Sequence, residues 1–271
     1  MAGAALAQPD EGGAPWRRSL WLGALALLAG RFDECDRRAG EVATAGATGD
    51  AEAEYRGSVL TSALRREQGR PAEAEVLLRS LRRSRPDDVL VPAASTAVLV
   101  DLGRDTEARS HLESLMADGA PALAEGSENR LPAGVALAEA CAVLEAPAAA
   151  EVLRALLAPH TATMAVEAGG AVCYGSVSRA LGLLAHTTGQ LDDAAAHFEQ
   201  ALVDHRDAGA RVLWGHTCRH YSATLRARAG PGDWERARDL LGSALAVYSD
   251  LGIESLAAQS EAVLHRSMDD A

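Results

Sequence analysis

The chain of 271 residues contains no lysine, so all 26 of its basic residues are arginine. Without lysine it cannot supply the phosphate-binding lysine of a P-loop, a Schiff base, or a lysine-dependent phosphoryl transfer. This absence excludes the enzyme classes that depend on a lysine side chain.

Aromatic and bulky β-branched residues are also scarce. Aromatics make up 4% of the chain and Ile253 is the only isoleucine, although hydrophobic residues together reach 48%. The core must therefore consist mainly of Ala, Leu and Val. Ala and Leu are strong helix formers, and a large sheet would be hard to fill from this set. The composition predicts an all-α protein.

Four cysteines, Cys35, Cys141, Cys173 and Cys218, stand far apart, and no CxxC motif is present. Each lies in or beside an apolar segment, which predicts buried free thiols in a cytoplasmic protein. Histidines at 216 and 220 have a spacing compatible with a metal, but the sequence places no third ligand near them. We therefore expect neither a metal nor another cofactor.

The net charge of −12 is the wrong sign for a surface that must neutralise phosphates, so nucleic acids and anionic membranes are not expected partners. The apolar stretch at 20–29 is too short to span a bilayer. Residues 1–12 lack the basic and long apolar regions of a signal peptide, and we expect a flexible tail there.

One short motif recurs along the chain, a glycine followed by a turn and an acidic residue. It reads GRFDEC from 30, GRPAEA from 69, GRDTEA from 103 and GQLDDA from 189, with a longer version, GPGDWERA, from 230. Small and apolar residues then follow at spacings of four and three, which place them on one helix face. Each motif predicts two helices joined by a glycine cap, with the acid in the first turn of the second helix.

These units predict one α-solenoid over 13–268. A degenerate unit at 131–160, with its turn near Ala146, fills the gap between the motifs at 103 and 189. The six predicted antiparallel helix pairs are 13–46, 51–84, 87–117, 131–158, 173–207 and 210–251, and a capping helix follows at 253–268. Longer loops are expected at 117–130 and 159–172, the second with a sharp turn at Gly169 and Gly170.

The best-formed unit resembles the tetratricopeptide repeat. The residues that match its signature are Leu181, Gly182, Ala185, Gly189, Ala194, Phe198 and Ala201. The longer stretch GGAVCYGSVSRALGLLAHTTGQLDDAAAHFEQAL resembles the C-terminal helical-repeat region of bacterial signalling ATPases and of LuxR-type and SARP-type regulators. The resemblance implies a cytoplasmic, bacterial, protein-binding scaffold in signalling or transcription regulation. The ATPase and DNA-binding parts have no counterpart here, so the chain is either a fragment of such a regulator or a free-standing relative.

The resemblance also implies a concave groove, because the first helix of each pair lines the inner side of such a solenoid. Arg and His dominate the positions carried over, and they suit a carboxylate-bearing or phosphorylated partner. The alternative is that these arginines pair with acids on solvated helix faces. The predicted groove residues are Arg17, Arg56, Arg66, Ser176, Arg179, His186, Thr217, His220, Tyr221 and Thr224.

Three functions fit this sequence. Because no catalytic motif stands out, we expect a non-enzymatic scaffold that holds a protein or peptide segment, with an acidic segment as the best match. The first alternative is a small-molecule-sensing module that regulates an ATPase or a transcription regulator. The second is a cyclase or isomerase of a biosynthetic cluster, with Arg179, His220 and Tyr221 in its active site. An open groove favours the scaffold, and a closed cavity with convergent Arg, His and Tyr favours the alternatives.

Overall fold

The computed structural model describes residues 14–269, and the predicted tail at 1–12 lies outside the described residues. Within the described range the chain forms thirteen α-helices and one two-stranded sheet. The helices are α1 (Pro15–Leu28), α2 (Phe32–Ala47), α3 (Ala51–Glu67), α4 (Pro71–Ser84), α5 (Leu90–Asp101), α6 (Asp105–Met116), α7 (Arg130–Val143), α8 (Pro147–Leu157), α9 (Val177–Thr187), α10 (Leu191–Asp207), α11 (Arg211–Arg228), α12 (Asp233–Asp250) and α13 (Glu254–Asp269). Consecutive helices pack as pairs, and the predicted all-α solenoid is confirmed. No helix in this range is both long and apolar enough to cross a membrane.

The turns within the pairs have the predicted geometry. Gly30, Gly69, Gly103 and Gly189 all have φ between +69° and +77°, a conformation in which a side chain is strained. Acidic residues occupy the first turn of the helix that follows each of them. In the degenerate unit Glu145 takes the left-handed position with φ +49°, and α8 begins two residues later. The repeat therefore keeps its turn even where the sequence lacks the glycine.

Residues 159–172 are not the plain loop that the sequence predicts. Strands β1 (Met164–Val166) and β2 (Cys173–Ser176) form an antiparallel hairpin with an irregularity between Ala165 and Val166. As a result α9 begins at Val177, later than the predicted start at 173. Strands this short have too little alternation to be recognised from sequence, and their pairing depends on the helices around them.

Small residues allow the close packing within a unit. A Cβ atom added to Gly182 on α9 would lie 3.0 Å from three ring atoms of Phe198 on α10. Phe198 is fully buried, as is Ala194 one turn earlier. The small and bulky positions of the repeat motif thus face each other across the pair, where an extra methyl group would force a shift.

The solenoid curls until its two ends meet. A Cβ atom added to Gly30, between α1 and α2, would lie 2.5 Å from the side chain of Leu251, between α12 and α13. Phe32 packs on the core of the last helices, and Leu28 shares a buried cluster with Leu213 of α11. Both ends of the solenoid therefore border its concave side, and the side chains on that side decide what the protein can bind.

Candidate functional site

A cavity of about 600 Å³ lies on the concave side of the solenoid. The first helices of five pairs, α3, α5, α7, α9 and α11, line it together with α13, as expected for the inner side of a helical repeat. Polar and ionisable side chains dominate one part of its wall. They are Arg66, Glu67, Asp101, Glu139, Arg179, His186, His216, Arg219, His220 and Thr224.

Two arginines share one carboxylate in this wall. Glu139 accepts a hydrogen bond from Nη2 of Arg179 at 2.7 Å. Its other carboxylate oxygen lies 2.7 Å from Nη1 of Arg66, and Arg66 also contacts Asp101. Burial by itself would raise the pKa of Glu139, but the charges and hydrogen bonds of both arginines outweigh burial and hold that pKa well below its ordinary value. Glu139 is therefore ionised, and its two ion pairs connect α7 with α3 and α9.

A second chain of contacts starts from Glu67. Its carboxylate accepts a hydrogen bond from Nε2 of His216 at 3.0 Å, and Nδ1 of His216 lies 2.9 Å from the hydroxyl of Tyr248. Burial opposes ionisation of Glu67, but the contact with His216 outweighs it and lowers the pKa of the carboxyl group. Arg219 also contacts the Tyr248 hydroxyl, and no carboxylate among the described residues pairs with Arg219. This chain links the C-terminal end of α3 to α11 and α12.

The protonation of His220 follows from its neighbours. Burial and the charges of Arg219 and Arg179 lower its pKa well below the ordinary value, so the imidazole is neutral at pH 7. Nε2 lies 3.2 Å from Nη2 of Arg219 and must accept, because a guanidinium group only donates. The proton is therefore on Nδ1, which has no hydrogen-bond partner among the described residues.

Half of the predicted groove residues line this cavity. Those inside it are Arg66, Arg179, His186, His220 and Thr224, and His186 contacts the Thr224 hydroxyl at 2.9 Å. Those outside it are Arg17, Arg56, Ser176, Thr217 and Tyr221. Arg17 is exposed over the ring of Trp16, and Tyr221 donates to Glu199, which does not line the cavity. The structure thus separates Tyr221 from His220, although they are adjacent in sequence.

Arg56 has an acidic partner from its own chain. Its Nη1 donates to both carboxylate oxygens of Glu167, at 2.8 and 3.0 Å, and its Nε donates to Glu52. Glu167 lies in the turn between β1 and β2, is 2% exposed, and also accepts hydrogen bonds from the backbone N–H groups of Gly169 and Ala171. The hairpin therefore occupies the stretch of the inner side where Arg56 was predicted to bind a partner.

Ser176 and Thr217 are buried against His205. The backbone N–H of Ser176 donates to Nε2 of His205, and Nδ1 lies 3.0 Å from the hydroxyl of Thr217. That hydroxyl donates to the carbonyl of Leu213, so Nδ1 carries the proton of a neutral ring. Burial and the charge of Arg179 lower the pKa of His205 to about 3. These residues fix the base of β2 to α10 and α11.

A pH dependence of stability follows from His205. In the unfolded chain His205 binds a proton as pH falls below about 6.5. In the folded chain it does so only near pH 3, so the folded state loses stability on acidification. Between pH 7 and pH 5 this loss amounts to about 2 kcal/mol. Measured by urea unfolding, His205→Gln should lose about 2 kcal/mol less stability than the wild type between pH 7 and pH 5. His265→Gln, at an exposed position, is the control and should behave as the wild type; equal losses in all three proteins would contradict the assignment.

Sequence reasoning missed five polar or ionisable members of the cavity wall, Glu67, Asp101, Glu139, His216 and Arg219. Acids were assigned to helix starts, whereas Glu139 lies in the degenerate unit, whose missing glycine left its register undetermined. His216 was weighed as a metal ligand and was not named among the groove residues. Within residues 14–269 no group of three or more His, Cys, Asp and Glu side chains could hold a metal ion.

The four cysteines are buried and free, as predicted. Burial raises the pKa of each thiol, to about 12 for Cys35, Cys141 and Cys218 and to about 11 for Cys173, so none of them is a nucleophile at neutral pH.

Comparison with known proteins adds no family to these observations: neither a protein-family model nor a curated protein matches this sequence.

Proposed function

We propose that the protein is a non-enzymatic regulatory module that binds a small molecule in the central cavity. The observation that carries the proposal is the cavity itself, about 600 Å³ in volume and lined by helices of five successive units and by α13. Ligand pockets in proteins usually measure about 300–1,000 Å³ and combine apolar walls with a few polar groups. Here Leu183, Phe198 and Leu256 supply apolar wall beside the ionisable side chains.

The position of the cavity supports a regulatory role. Ser255, Leu256 and Gln259 of α13 line it together with Arg66 and Asp101 from the first half of the chain. A ligand there would touch elements far apart in sequence and stabilise the contact between the two ends of the solenoid. A ligand that prefers the closed arrangement shifts the population toward it, which is how binding can alter a partner.

Binding without catalysis is supported by the chemistry of the cavity wall. The carboxylates there, Glu67, Asp101 and Glu139, are held in ion pairs and hydrogen bonds. The hydroxyl of Tyr221 donates to Glu199, which does not line the cavity. None of the four cysteines has a thiolate at neutral pH. A protein or peptide partner in an open groove stays a prediction, and the hairpin and Glu167 take up the part of the inner side near Arg56 that such a segment would need.

Native mass spectrometry tests the proposal. The purified chain is equilibrated with the small-molecule fraction of a cell extract, desalted, and compared with Ala223→Trp. Ala223 is an exposed residue on the cavity wall, so an indole there fills the cavity without entering the core. We expect a small adduct on the wild type that disappears on denaturation and is missing from Ala223→Trp.

Ala223→Ser serves as the matched control, because it changes the same position without filling space, and it should keep the adduct. An adduct found only with the peptide fraction of the extract would favour the scaffold instead. No adduct on the wild type, or equal adducts on the wild type and Ala223→Trp, would contradict the proposed sensing function.

A further inference from the structure

The cavity wall has hydrogen-bond donors without acceptors. Seven buried side-chain nitrogens in the described part of the chain have no hydrogen-bond partner, and four of them belong to residues of this cavity. They are Nε and Nη1 of Arg179, Nε of Arg219 and Nδ1 of His220. Buried donors are nearly always paired in folded proteins, so four of them around one cavity require an explanation.

The carboxylates of the same wall are paired with other donors. Both carboxylate oxygens of Glu139 contact arginines, Asp101 contacts Arg66, and Glu67 accepts from His216. Nε2 of His220 accepts from Arg219. None of these recorded contacts involves the four donor nitrogens, so an acceptor on a molecule that enters the cavity would satisfy them.

Burial makes the missing hydrogen bonds of these arginines energetically costly. Arg179 is 1% exposed, and only its Nη2 has a partner, Glu139. Arg219 has no carboxylate partner among the described residues, and its recorded contacts are with His220 and Tyr248. A buried guanidinium group is stabilised mainly by charged acceptors, and the oxygens of a carboxylate or a phosphate match its donor geometry.

We infer that the ligand carries an oxyanion, a carboxylate or a phosphate, and that Arg179, Arg219 and His220 bind it. This inference rests on the proposed function and names the chemical class of the ligand. His220 contributes a neutral N–H donor, and the two arginines contribute charge. Glu139 keeps Arg179 in place and is not itself a contact to the anion.

Isothermal titration of the full-length chain with succinate and with inorganic phosphate tests the inference and separates the two sources of the oxyanion. Succinamide, which has the shape of succinate without its charge, is the negative control. We expect one of the two anions to bind, and Arg219→Gln to weaken its binding at least about tenfold, since a hydrogen bond to a charged group is lost. Arg219→Lys should retain part of the affinity.

Arg226→Gln is the matched control, because Arg226 lies on the same helix and also has an unpaired Nε, yet it lies over Trp234 and not on the cavity wall. It should bind as the wild type does. The ¹⁵N signal of His220 Nδ1 in the wild type gives a second measurement, which decides the matter if Arg219→Gln does not fold. The inference is overturned if neither anion binds, if Arg219→Gln binds like the wild type, or if the His220 signal stays unchanged at saturation.

The two proposals fail in different ways. If an extract yields a cavity-dependent adduct while succinate and phosphate leave the protein unaffected, the binding module stands and the oxyanion inference falls. If an anion binds through Arg219 but no extract gives an adduct, the oxyanion site stands and the proposed sensing function falls.

Discussion

Replacing Arg56 with Gln should lower the free energy of unfolding by about 3–5 kcal/mol, the usual effect of removing one partner from a buried ion pair. Glu167 is 2% exposed and receives Arg56 Nη1 on both of its oxygens, so the substitution would leave a buried carboxylate without its cation. A Cβ atom added to Gly169 would lie 1.1 Å from Nη1 of Arg56, which shows how closely the hairpin turn covers this arginine. Urea unfolding at pH 7 measures the effect.

The matched control is Arg79→Gln, in a pair with Glu75 whose arginine side chain is 60% exposed. Exposed pairs contribute about 0–1 kcal/mol, so little change is expected. The double variant Arg56→Gln and Glu167→Gln should lose less stability than the two single variants added together, because each single variant leaves one partner unsatisfied. Additive effects, or a loss for Arg56→Gln no larger than for Arg79→Gln, would show that the hairpin does not depend on this pair.

Replacing Phe198 with Ala should cost about 3–5 kcal/mol of stability. The ring is fully buried, fills the space above Gly182, and stacks on Tyr221 with ring centroids 5.9 Å apart. Because the side chains around the ring belong to packed helices, they can relax only partly, and a cavity is left where the ring was. Thermal and urea unfolding measure the loss.

Val203→Ala is the control on the same helix, since Val203 is 39% exposed and its truncation removes little buried surface. It should change stability by no more than about 0.5 kcal/mol. If both variants unfold at the same denaturant concentration, Phe198 does not hold α9 and α10 together in the way the repeat motif predicts.

Much of the fold could be read from the spacing of small residues. Gly30, Gly69, Gly103 and Gly189 mark turns because only a residue without Cβ takes their backbone conformation freely, and the acid after each one marks a helix start. These are local effects, so the predicted pairs agree closely with the observed helices. The hairpin at 164–176 was missed, because its strands are short and are stabilised by side chains far away in the chain, such as Arg56.

The candidate site was predicted only in part. The rule that first helices line the inner side placed Arg66, Arg179 and His220 at the cavity, since helix periodicity fixes which side chains share a face. The rule could not separate arginines with partners from those without. Arg56 and Arg179 both lie on the first helix of a pair, yet the first is paired with Glu167 and Glu52 and the second keeps two unpaired nitrogens.

The sequence by itself determined that this protein is a row of helix pairs, because backbone conformation at the turns and apolar periodicity depend on neighbouring residues. Only the tertiary structure decided that the row curls until Gly30 meets Leu251 and that a hairpin fills part of its inner side. It also decided which charges are neutralised and which donors are left over around the cavity, such as those of Arg219. Small differences in the packing angle add up along the chain, and so curvature, closure and the pairing of distant charges are properties of the whole molecule.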